Sequence, residues 1–198
     1  MISHPPFTGI ILAGGRSSRM GGKDKGLIPF SGKALYQHAI ERLAPQTNTL
    51  IISANRHMPE YQSSGLPVFN DSIEDYPGPL AGILTGLEAM DTEWALCVPC
   101  DTPFFPLDLG EKLWLNRKGQ NIAFAHDGER AHPTLVLIHK STKTALRDYL
   151  ARGERKLMLF FELLGAQSVN FSENKNAFRN LNTPEECQMW ESEVRGDQ

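Results

Sequence analysis

Short apolar runs alternate along this chain with stretches whose apolar residues recur every three or four positions, and this alternation strongly limits the possible folds. The first run, at residues 8–13, is nearly all apolar and is followed by glycines, which is typical of a strand buried on both faces. In the next segment, Leu35, Ala39 and Leu43 are spaced four residues apart, which predicts a helix over residues 34–43.

The same pattern continues to the end of the chain and predicts an α/β fold. A final helix is predicted from Thr183-Pro184-Glu185-Glu186, with threonine as the N-cap and proline at the first helical position. We expect one domain over residues 1–198, a doubly wound, mostly parallel sheet with helices on both faces. Ligands of such sheets bind beyond the carboxyl ends of the strands, so residues that follow strands are the functional candidates. Further strands are predicted at 50–54, 67–70, 94–98, 122–125, 134–139 and 168–171, and further helices at 79–90, 106–116, 141–151 and 157–164.

Composition excludes several other classes of protein. The 198 residues are 40% hydrophobic and 22% charged, which argues against disorder and coiled coil. A net charge of −3 indicates no basic face for nucleic acid. Three cysteines, an odd number, argue against a disulfide scaffold and favour a reducing compartment. The apolar runs are far shorter than the roughly 18 residues of a membrane span, so we expect no membrane association and a cytoplasmic location.

The segment after the first strand has the composition of a phosphate-binding loop. Residues 12–26 contain five glycines and four Lys or Arg residues. Glycines let backbone N–H groups approach a phosphate chain, and the cations neutralise its oxygens. The spacing excludes a Walker A loop, because Gly22-Lys23 is followed by Asp24 rather than by Ser or Thr. The segment also contains no Gly-x-Gly-x-x-Gly, which excludes the Rossmann dinucleotide-binding fingerprint. The alternative is a flexible surface loop with solvated charges.

Two aspartates follow predicted strands and are candidate metal or nucleotide contacts. Asp71 comes after the strand at 67–70, and Asp101 after the strand at 94–98. Magnesium binds one or two carboxylates together with phosphate oxygens and water, so a dedicated cage is not expected. Aspartate is also common in turns and helix caps, and this remains the alternative for both residues.

Cysteines and histidines give weaker signals. Cys97 and Cys100 form a C-x-x-C that closes a strand rather than opening a helix, and there is no second pair for zinc. We therefore interpret both as small buried apolar residues. His126 and His132 flank the charged residues 127–130, which form either a solvated turn or a substrate contact. The basic segment 153–156 likewise either is solvated at a helix end or contacts the substrate.

Several of these segments together resemble a known family. Leu12-Ala13-Gly14-Gly15, Arg19-Met20-Gly21 and Lys25 resemble the first motif of the NTP-transferase superfamily, whose sheet is GT-A-like and Rossmann-like. The stretches 53–57, 75–82, 99–103, 127–133 and 182–185 are similar to those of the molybdenum cofactor guanylyltransferases, the MobA family. The resemblance extends over residues 7–186. It implies transfer of GMP from GTP to Mo-molybdopterin, with molybdenum-cofactor assembly proteins and molybdoenzyme chaperones as partners.

The resemblance also implies roles for individual residues. Asp101 is expected to hold Mg²⁺ and, with Arg19 and Lys25, to stabilise charge during transfer. Ser53 departs from the asparagine that the family often has there, and Asn55 is a candidate to share its role. The segment 127–133 is expected near the pterin substrate. The positions expected to contact the nucleotide are Leu12, Ala13, Gly14, Gly15, Lys25, Ser53, Asp71, Gly78, Pro79, Leu80 and Asp101.

The implied reaction needs no general base. The terminal phosphate of the pterin substrate would attack the α-phosphorus of GTP and release pyrophosphate, and a phosphate monoester is already largely dianionic at pH 7. Two alternatives stay open. Another member of the superfamily, such as a cytidylyl- or sugar-nucleotidyltransferase, would use a different base or acceptor. A non-catalytic nucleotide-binding protein would lack Arg19, Lys25 or Asp101, and all three are present.

Overall fold

A seven-stranded sheet forms the centre of the fold. The structure, a computed structural model, describes residues 4–13, 24–71, 73 and 78–196. The large sheet has the order β5-β4-β1-β6-β8-β7-β9, and β2 and β3 form a separate antiparallel hairpin. The strands are β1 (Phe7–Leu12), β2 (Pro29–Phe30), β3 (Lys33–Ala34), β4 (Thr49–Ser53), β5 (Val68–Phe69), β6 (Trp94–Pro99), β7 (Ile122–His126), β8 (Ala131–His139) and β9 (Gln167–Asn170).

All the helices predicted from periodicity occur, with shifted ends, and the mid-chain helix predicted from 106 begins only at Leu109. The hairpin of β2 and β3 and the helix α2 were not predicted, because elements of two to five residues are too short to show a period. None of the described helices is long and apolar enough to cross a membrane. The helices are α1 (Leu35–Leu43), α2 (Met58–Gln62), α3 (Pro79–Ala89), α4 (Leu109–Asn116), α5 (Lys143–Ala151), α6 (Leu157–Leu163) and α7 (Pro184–Gly196), with 3-10 turns at Lys25–Leu27, Ala44–Gln46, Lys140–Thr142 and Ser172–Phe178.

The sheet is mostly parallel, as predicted. Only β8 runs antiparallel to its neighbours β6 and β7. It begins at Ala131, three residues earlier than predicted, and so includes Pro133. The register between β7 and β8 shifts at Phe124/Ala125, and Pro133 lies in the irregular stretch opposite this shift. Proline has no N–H to donate and is tolerated at such bulges, which explains why the sequence pattern gave too late a start.

Helices cover both faces of the sheet, which confirms the doubly wound prediction. Neighbouring residues of a strand point to opposite faces. Ile10 belongs to one apolar cluster with Leu84 of α3 and Leu146 of α5, and Ile11 belongs to another with Leu43 of α1. The two clusters lie on the two sides of the sheet, and all five of these side chains are buried.

The start of α7 has the predicted cap. The backbone N–H of Glu186 donates to Thr183 Oγ1 at 3.0 Å, and the N–H of Thr183 donates back to Glu186 Oε2 at 3.3 Å. These reciprocal bonds form a capping box and satisfy N–H groups that the first helical turn leaves unpaired. The cap fixes where the segment before α7 ends.

Helix α3 lies unusually close to the sheet. Every residue from Leu80 to Leu87 is buried, including two glycines. A Cβ at Gly86 would overlap Ile10 Cδ1 and lie 2.9 Å from Ile10 Cγ1. Because Gly86 has no side chain, α3 can rest directly on β1, and this places the N-terminus of α3 beside the carboxyl ends of the strands.

This close packing makes Gly86→Ala destabilising. Replacing a helical glycine by alanine normally gains about 1 kcal/mol, but overpacking a core costs roughly 1–3 kcal/mol. Because three carbon atoms of Ile10 would lie within 3.0 Å of the added Cβ, we expect a net loss of about 1 kcal/mol or more in the free energy of unfolding, measured by urea denaturation. In an Ile10→Val background, which lacks Cδ1, the same substitution should cost less. A Gly86→Ala protein as stable as the wild type would contradict the packing described.

Candidate active site

A cleft of about 640 Å³ lies at the carboxyl ends of β1, β4 and β6. Most of the sequence-predicted site residues that the structure describes line it. Leu80 is the exception, because its side chain is buried in the core under α3. Gly14, Gly15 and Arg19 lie outside the described residues. The predicted residues that line the cleft are Leu12, Ala13, Lys25, Ser53, Asp71, Gly78, Pro79 and Asp101.

Lys25 and Asp101 meet in the cleft. Lys25 Nζ lies 3.9 Å from Asp101 Oδ2 and donates a 2.9 Å hydrogen bond to Asn182 Oδ1. Asn182 belongs to the segment before α7, which also reaches Asp101 through its backbone: the N–H of Leu181 donates to the Asp101 carbonyl oxygen at 2.7 Å. The segment before α7 therefore contacts both Lys25 and Asp101, which were predicted from two separate parts of the sequence, and holds them close together.

The environment of Asp101 makes its negative charge costly. Its side chain is only 21% exposed, and burial raises the pKa of its carboxyl. The Lys25 ammonium, the backbone N–H of Asp101 and the Thr102 hydroxyl oppose that increase. Burial dominates, so the Asp101 carboxylate is held under-compensated and favours a further positive charge.

The donor set of the cleft fits a hard divalent cation. Asp24 and Asp101 both line the cleft. Within the described ranges, no group of three or more His, Cys, Asp or Glu side chains could hold a metal ion. Mg²⁺ needs no such group, since it takes one or two carboxylates and completes its shell with substrate phosphates and water. Asp101, whose negative charge the neighbouring groups offset only in part, is a suitable carboxylate for such a site.

The C-x-x-C has the structural character predicted for it. Cys97 lies within β6, and Cys100 follows the end of that strand. Both thiols are free and buried, and burial raises the pKa of each. A thiol held protonated in this way is neither a redox nucleophile nor a zinc ligand.

Asp71 is held by two neighbours on β4 and the loop after it. Asn55 Nδ2 donates to Asp71 Oδ2 at 2.8 Å, and Asn55 Oδ1 accepts from the Asp71 backbone N–H at 2.8 Å. Ser53 Oγ donates to the other carboxylate oxygen at 3.2 Å. Ser53 and Asn55 therefore both orient Asp71. The nucleotide contact expected of Ser53, which Asn55 was a candidate to share, stays a prediction.

The turn into α3 forms the wall beside Ser53. Gly78 is the N-cap of the helix and has a φ of 132°, a conformation that residues with a side chain rarely adopt. Gly82 lies in the first turns of α3, and a Cβ there would be 3.0 Å from Ser53 Oγ. Small residues thus leave room at this end of the cleft.

A buried histidine–carboxylate pair supports the wall that residues 130–135 form on the β8 side of the cleft. His132 Nε2 lies 2.7 Å from Asp127 Oδ2, and the His132 ring stacks on Phe178 with 5.0 Å between ring centroids. Asp127 Oδ1 accepts the backbone N–H groups of Glu129 and Arg130 at 2.8 Å each. Although burial acts in the opposite direction, these hydrogen bonds lower the pKa of the Asp127 carboxyl well below its usual range.

The two histidines of this region have different positions. His132 lines the cleft with Arg130. His126 Nδ1 accepts the backbone N–H of Gly128 at 3.0 Å and stabilises the turn instead. The basic segment 153–156 is not among the described residues that line the cleft, and Glu154 lines a separate surface groove with Leu159 and Leu163. The substrate contact suggested for the segment 153–156 stays a prediction.

Comparison with known proteins identifies the family. The family model described as "MobA-like NTP transferase domain" matches residues 9–167. The chain belongs to this family. The match extends from Gly9 within β1 to Gln167, the first residue of β9, and includes the strand ends at the cleft.

Relatives of similar length share the whole chain. Proteins named molybdenum cofactor guanylyltransferase from Yersinia pestis (strain Pestoides F) and Yersinia pseudotuberculosis serotype O:1b (strain IP 31758) are each 54% identical over 192 residues. Each alignment covers 97% of this chain and 98% of the relative. The resemblance to MobA-like enzymes is confirmed, and the chain is a nucleotidyltransferase.

Solved structures confirm the fold. Molybdopterin-guanine dinucleotide biosynthesis protein A from Archaeoglobus fulgidus has a TM-score of 0.76 at 21% identity, covering 97% of this chain and 100% of that one. A 4-diphosphocytidyl-2C-methyl-D-erythritol synthase from Anaerococcus prevotii has a TM-score of 0.74 at 13% identity, covering 96% of each chain. The nucleotidyltransferase fold is thus shared by enzymes whose names indicate different bases.

Sequence reasoning gave no role to several residues in or beside this MobA-like cleft. Asn180 accepts a 2.8 Å hydrogen bond from Thr102 Oγ1, Asn182 pairs with Lys25, and Asp24 is buried beside Lys25. Asn182 had a signal only as part of the resemblance. The Asp24 signal was local: an aspartate two residues before a glycine is the pattern of a side chain that accepts that glycine's N–H.

The lowered pKa of Asp127 predicts an acid-dependent stability. The folded carboxyl stays ionised at pH values where the unfolded one, with a pKa of about 3.9, takes up a proton. Its contribution is therefore fully present above about pH 5 and is lost as the pH falls through the acid range. In urea unfolding, Asp127→Asn should be less stable than the wild type at pH 7, and the difference should shrink toward pH 3. A difference that is independent of pH would contradict this assignment.

Proposed function

We propose that this chain transfers GMP from GTP to the terminal phosphate of Mo-molybdopterin and releases pyrophosphate. The observation that carries the proposal is the pairing of Lys25 with Asp101 at the strand ends of a cleft large enough for a nucleotide. The relatives named molybdenum cofactor guanylyltransferase, which match over nearly their full length, support the choice of base and acceptor.

The chemistry asks the protein to control charge rather than to move protons. The acceptor phosphate is largely dianionic at pH 7 and forms the new bond to the α-phosphorus directly. The bond from the α-phosphorus to the bridging oxygen breaks, and that oxygen leaves on pyrophosphate. Repulsion between the two anions and the charge on the leaving group are the obstacles, so positioned cations supply most of the catalysis.

Lys25 and Asp101 have complementary tasks in this scheme. The Lys25 ammonium neutralises phosphate oxygens, with Asn182 fixing its position. Arg19 is proposed to act with it. Asp101 would hold Mg²⁺, which supplies Lewis-acid stabilisation of the phosphate charge. The backbone at Leu12 and Ala13, with Gly14 and Gly15, is proposed to align the triphosphate for in-line transfer.

Base selection is proposed at the other end of the cleft. Guanine presents two adjacent N–H donors, and a carboxylate held by other groups is a matching acceptor. Asp71 is such a carboxylate, since Asn55 and Ser53 orient it. The backbone from Gly78 to Leu80 is proposed to contact the same base.

The cellular setting follows from the reaction. A dinucleotide cofactor has to pass from this enzyme to another protein, so we expect molybdenum-cofactor assembly proteins and molybdoenzyme chaperones as partners. We expect the reaction to take place in the cytoplasm, where GTP is available and the three free thiols stay reduced.

Nucleotide choice tests the proposal directly. We expect calorimetry with Mg²⁺ to show GTP binding more tightly than ATP or CTP, because of these three bases only guanine presents two adjacent N–H donors to the Asp71 carboxylate. Incubation with GTP, Mg²⁺ and molybdopterin-loaded carrier protein should then release pyrophosphate and yield a GMP-linked pterin. Equal binding of the three nucleotides would rule out the guanylyl assignment and favour another member of the superfamily.

Asp101→Asn tests the metal assignment. The change keeps the size of the side chain and removes its charge, so the protein should fold, as judged by circular dichroism and thermal unfolding. Turnover should fall about a hundredfold or more, because the metal contributes several kcal/mol of charge stabilisation. High Mg²⁺ should relieve part of the loss.

An exposed aspartate provides the matched control for that test. Asp108 precedes α4 and makes no side-chain hydrogen bond as its cap, so Asp108→Asn should leave turnover unchanged. Near-normal transfer by a folded Asp101→Asn protein would show that this carboxylate only shapes the turn, and Asp71 would become the next candidate for the metal.

A further inference from the structure

A tyrosine in the short helix α2 reaches the cleft from its buried side. Tyr61 is fully buried, with 0% of its surface exposed. Its hydroxyl donates a 2.7 Å hydrogen bond to Asp24 Oδ1. Asp24 is itself buried, lines the cleft and directly precedes Lys25. The contact joins residues 37 apart in sequence and lies next to the main cation of the site.

The same carboxylate oxygen holds the backbone on the far side of Lys25. The Gly26 N–H donates to Asp24 Oδ1 at 3.1 Å, and the Leu27 N–H donates to the Asp24 carbonyl oxygen at 3.1 Å. These bonds close the 3-10 turn Lys25–Leu27 around its first residue. Whatever fixes the Asp24 carboxylate therefore also fixes the backbone from which the Lys25 side chain extends.

Gly26 is what allows the tyrosine to come so close. A Cβ at this position would overlap the Tyr61 hydroxyl and lie 3.3 Å from Cys100 Sγ. The hydroxyl thus occupies the volume that a side chain would need. Tyr61, Asp24 and Gly26 form one packed unit, which we name the Tyr61 anchor.

We propose that Tyr61 is a positioning residue for nucleotidyl transfer: through Asp24 it holds the 3-10 turn so that the Lys25 ammonium stays beside Asp101 and Asn182. This inference rests on the proposed function in that Lys25 contacts the nucleotide phosphates. Lys25 has a long, flexible side chain whose freedom opposes catalysis, and a rigid backbone under it reduces the entropy lost when it binds phosphate.

A second tyrosine shows that core packing alone does not explain the contact. The Tyr36 ring meets the Tyr61 ring edge to face, with 4.8 Å between centroids, and is equally buried in the same cluster. The Tyr36 hydroxyl donates to the Glu60 carbonyl oxygen at 3.1 Å, a neutral group outside the cleft lining. Of these two tyrosine hydroxyls, that of Tyr61 is the one that donates to the carboxylate beside Lys25. Burial raises the pKa of Tyr61, so this hydroxyl keeps its proton and stays a donor.

Removing the hydroxyl alone tests the proposal. Tyr61→Phe keeps the ring and its packing, and we expect kcat/KM for GTP to fall roughly tenfold, the loss of one hydrogen bond to a charged group. Tyr36→Phe, which removes a hydroxyl from the neighbouring ring, is the matched control and should leave kcat/KM within about twofold of wild type. Equal losses in both variants would reduce Tyr61 to a structural role and overturn the proposal.

A double-mutant cycle shows whether the effect passes through Lys25. Lys25→Ala alone should lower activity more than Tyr61→Phe, and the two losses should divide in the same way between kcat and KM. In a Lys25→Ala background, adding Tyr61→Phe should lower kcat/KM by less than about twofold, because the effects of residues that act as one unit are not additive. Independent, multiplying losses would contradict the proposed route.

A measurement on the free protein separates this inference from the proposed function. Tyr61→Phe should accelerate hydrogen exchange of the Gly26 amide, followed by NMR, and Tyr36→Phe should not. Unchanged exchange in Tyr61→Phe would overturn the anchor even if the wild type transfers GMP. A wild type that transfers no GMP, with Gly26 exchange accelerated as expected, would overturn the proposed function and leave the anchor standing.

A variant on the other side of the contact covers the case in which Tyr61→Phe is too unstable to assay. Asp24→Asn keeps the size of the side chain and weakens the acceptor for both Tyr61 and Gly26. We expect faster Gly26 exchange and lower kcat/KM in this variant as well. Wild-type values for both would contradict the proposal.

Discussion

The pairing of β1 between β4 and β6 is the constraint on which the active site depends. Leu12, at the end of β1, pairs with Ser53 on one side and Pro99 on the other. The ladder continues one residue further, because Ala13 N–H donates to the Ser53 carbonyl oxygen and Cys100 N–H to the Leu12 carbonyl oxygen. Three parallel strands therefore end at one level, and the polar residues that follow them, Asp71 included through β5, project from a common edge.

Electrostatic cost then explains much of the detail around that edge. Burial makes the Asp101 charge costly, and the Lys25 ammonium at 3.9 Å compensates it only in part. Asp127 shows the opposite solution, since three hydrogen-bond donors more than offset its burial. The contrast assigns different roles to two buried carboxylates. Asp127 is satisfied within the protein and stabilises the turn after β7, whereas the charge of Asp101 is less fully compensated, which is why Asp101 is the proposed cation ligand.

Local patterns and pairings between distant segments were not equally predictable from the sequence. The strand 94–98 and Asp101 after it could be placed because a strand buried on both faces is a continuous apolar run, and polar residues mark where it ends. The Lys25–Asn182 bond could not, because no local rule relates residues 157 apart. Leu80 illustrates a third case. Its position in the first turn of α3 was predicted correctly, but which face of a helix meets the cleft is decided by packing on β1.

The contact between Lys25 and Asn182 also has a consequence for when the enzyme becomes competent during its synthesis. The strands β1, β4 and β6 are complete by residue 99 and can pair early. Asn182 and Phe178, whose ring stacks on His132, are translated only after the last strand of the sheet, β9. A nascent chain can thus assemble most of its sheet while Lys25 still lacks its Asn182 partner. Under the proposed function, substrate capture would therefore follow the folding of the segment before α7.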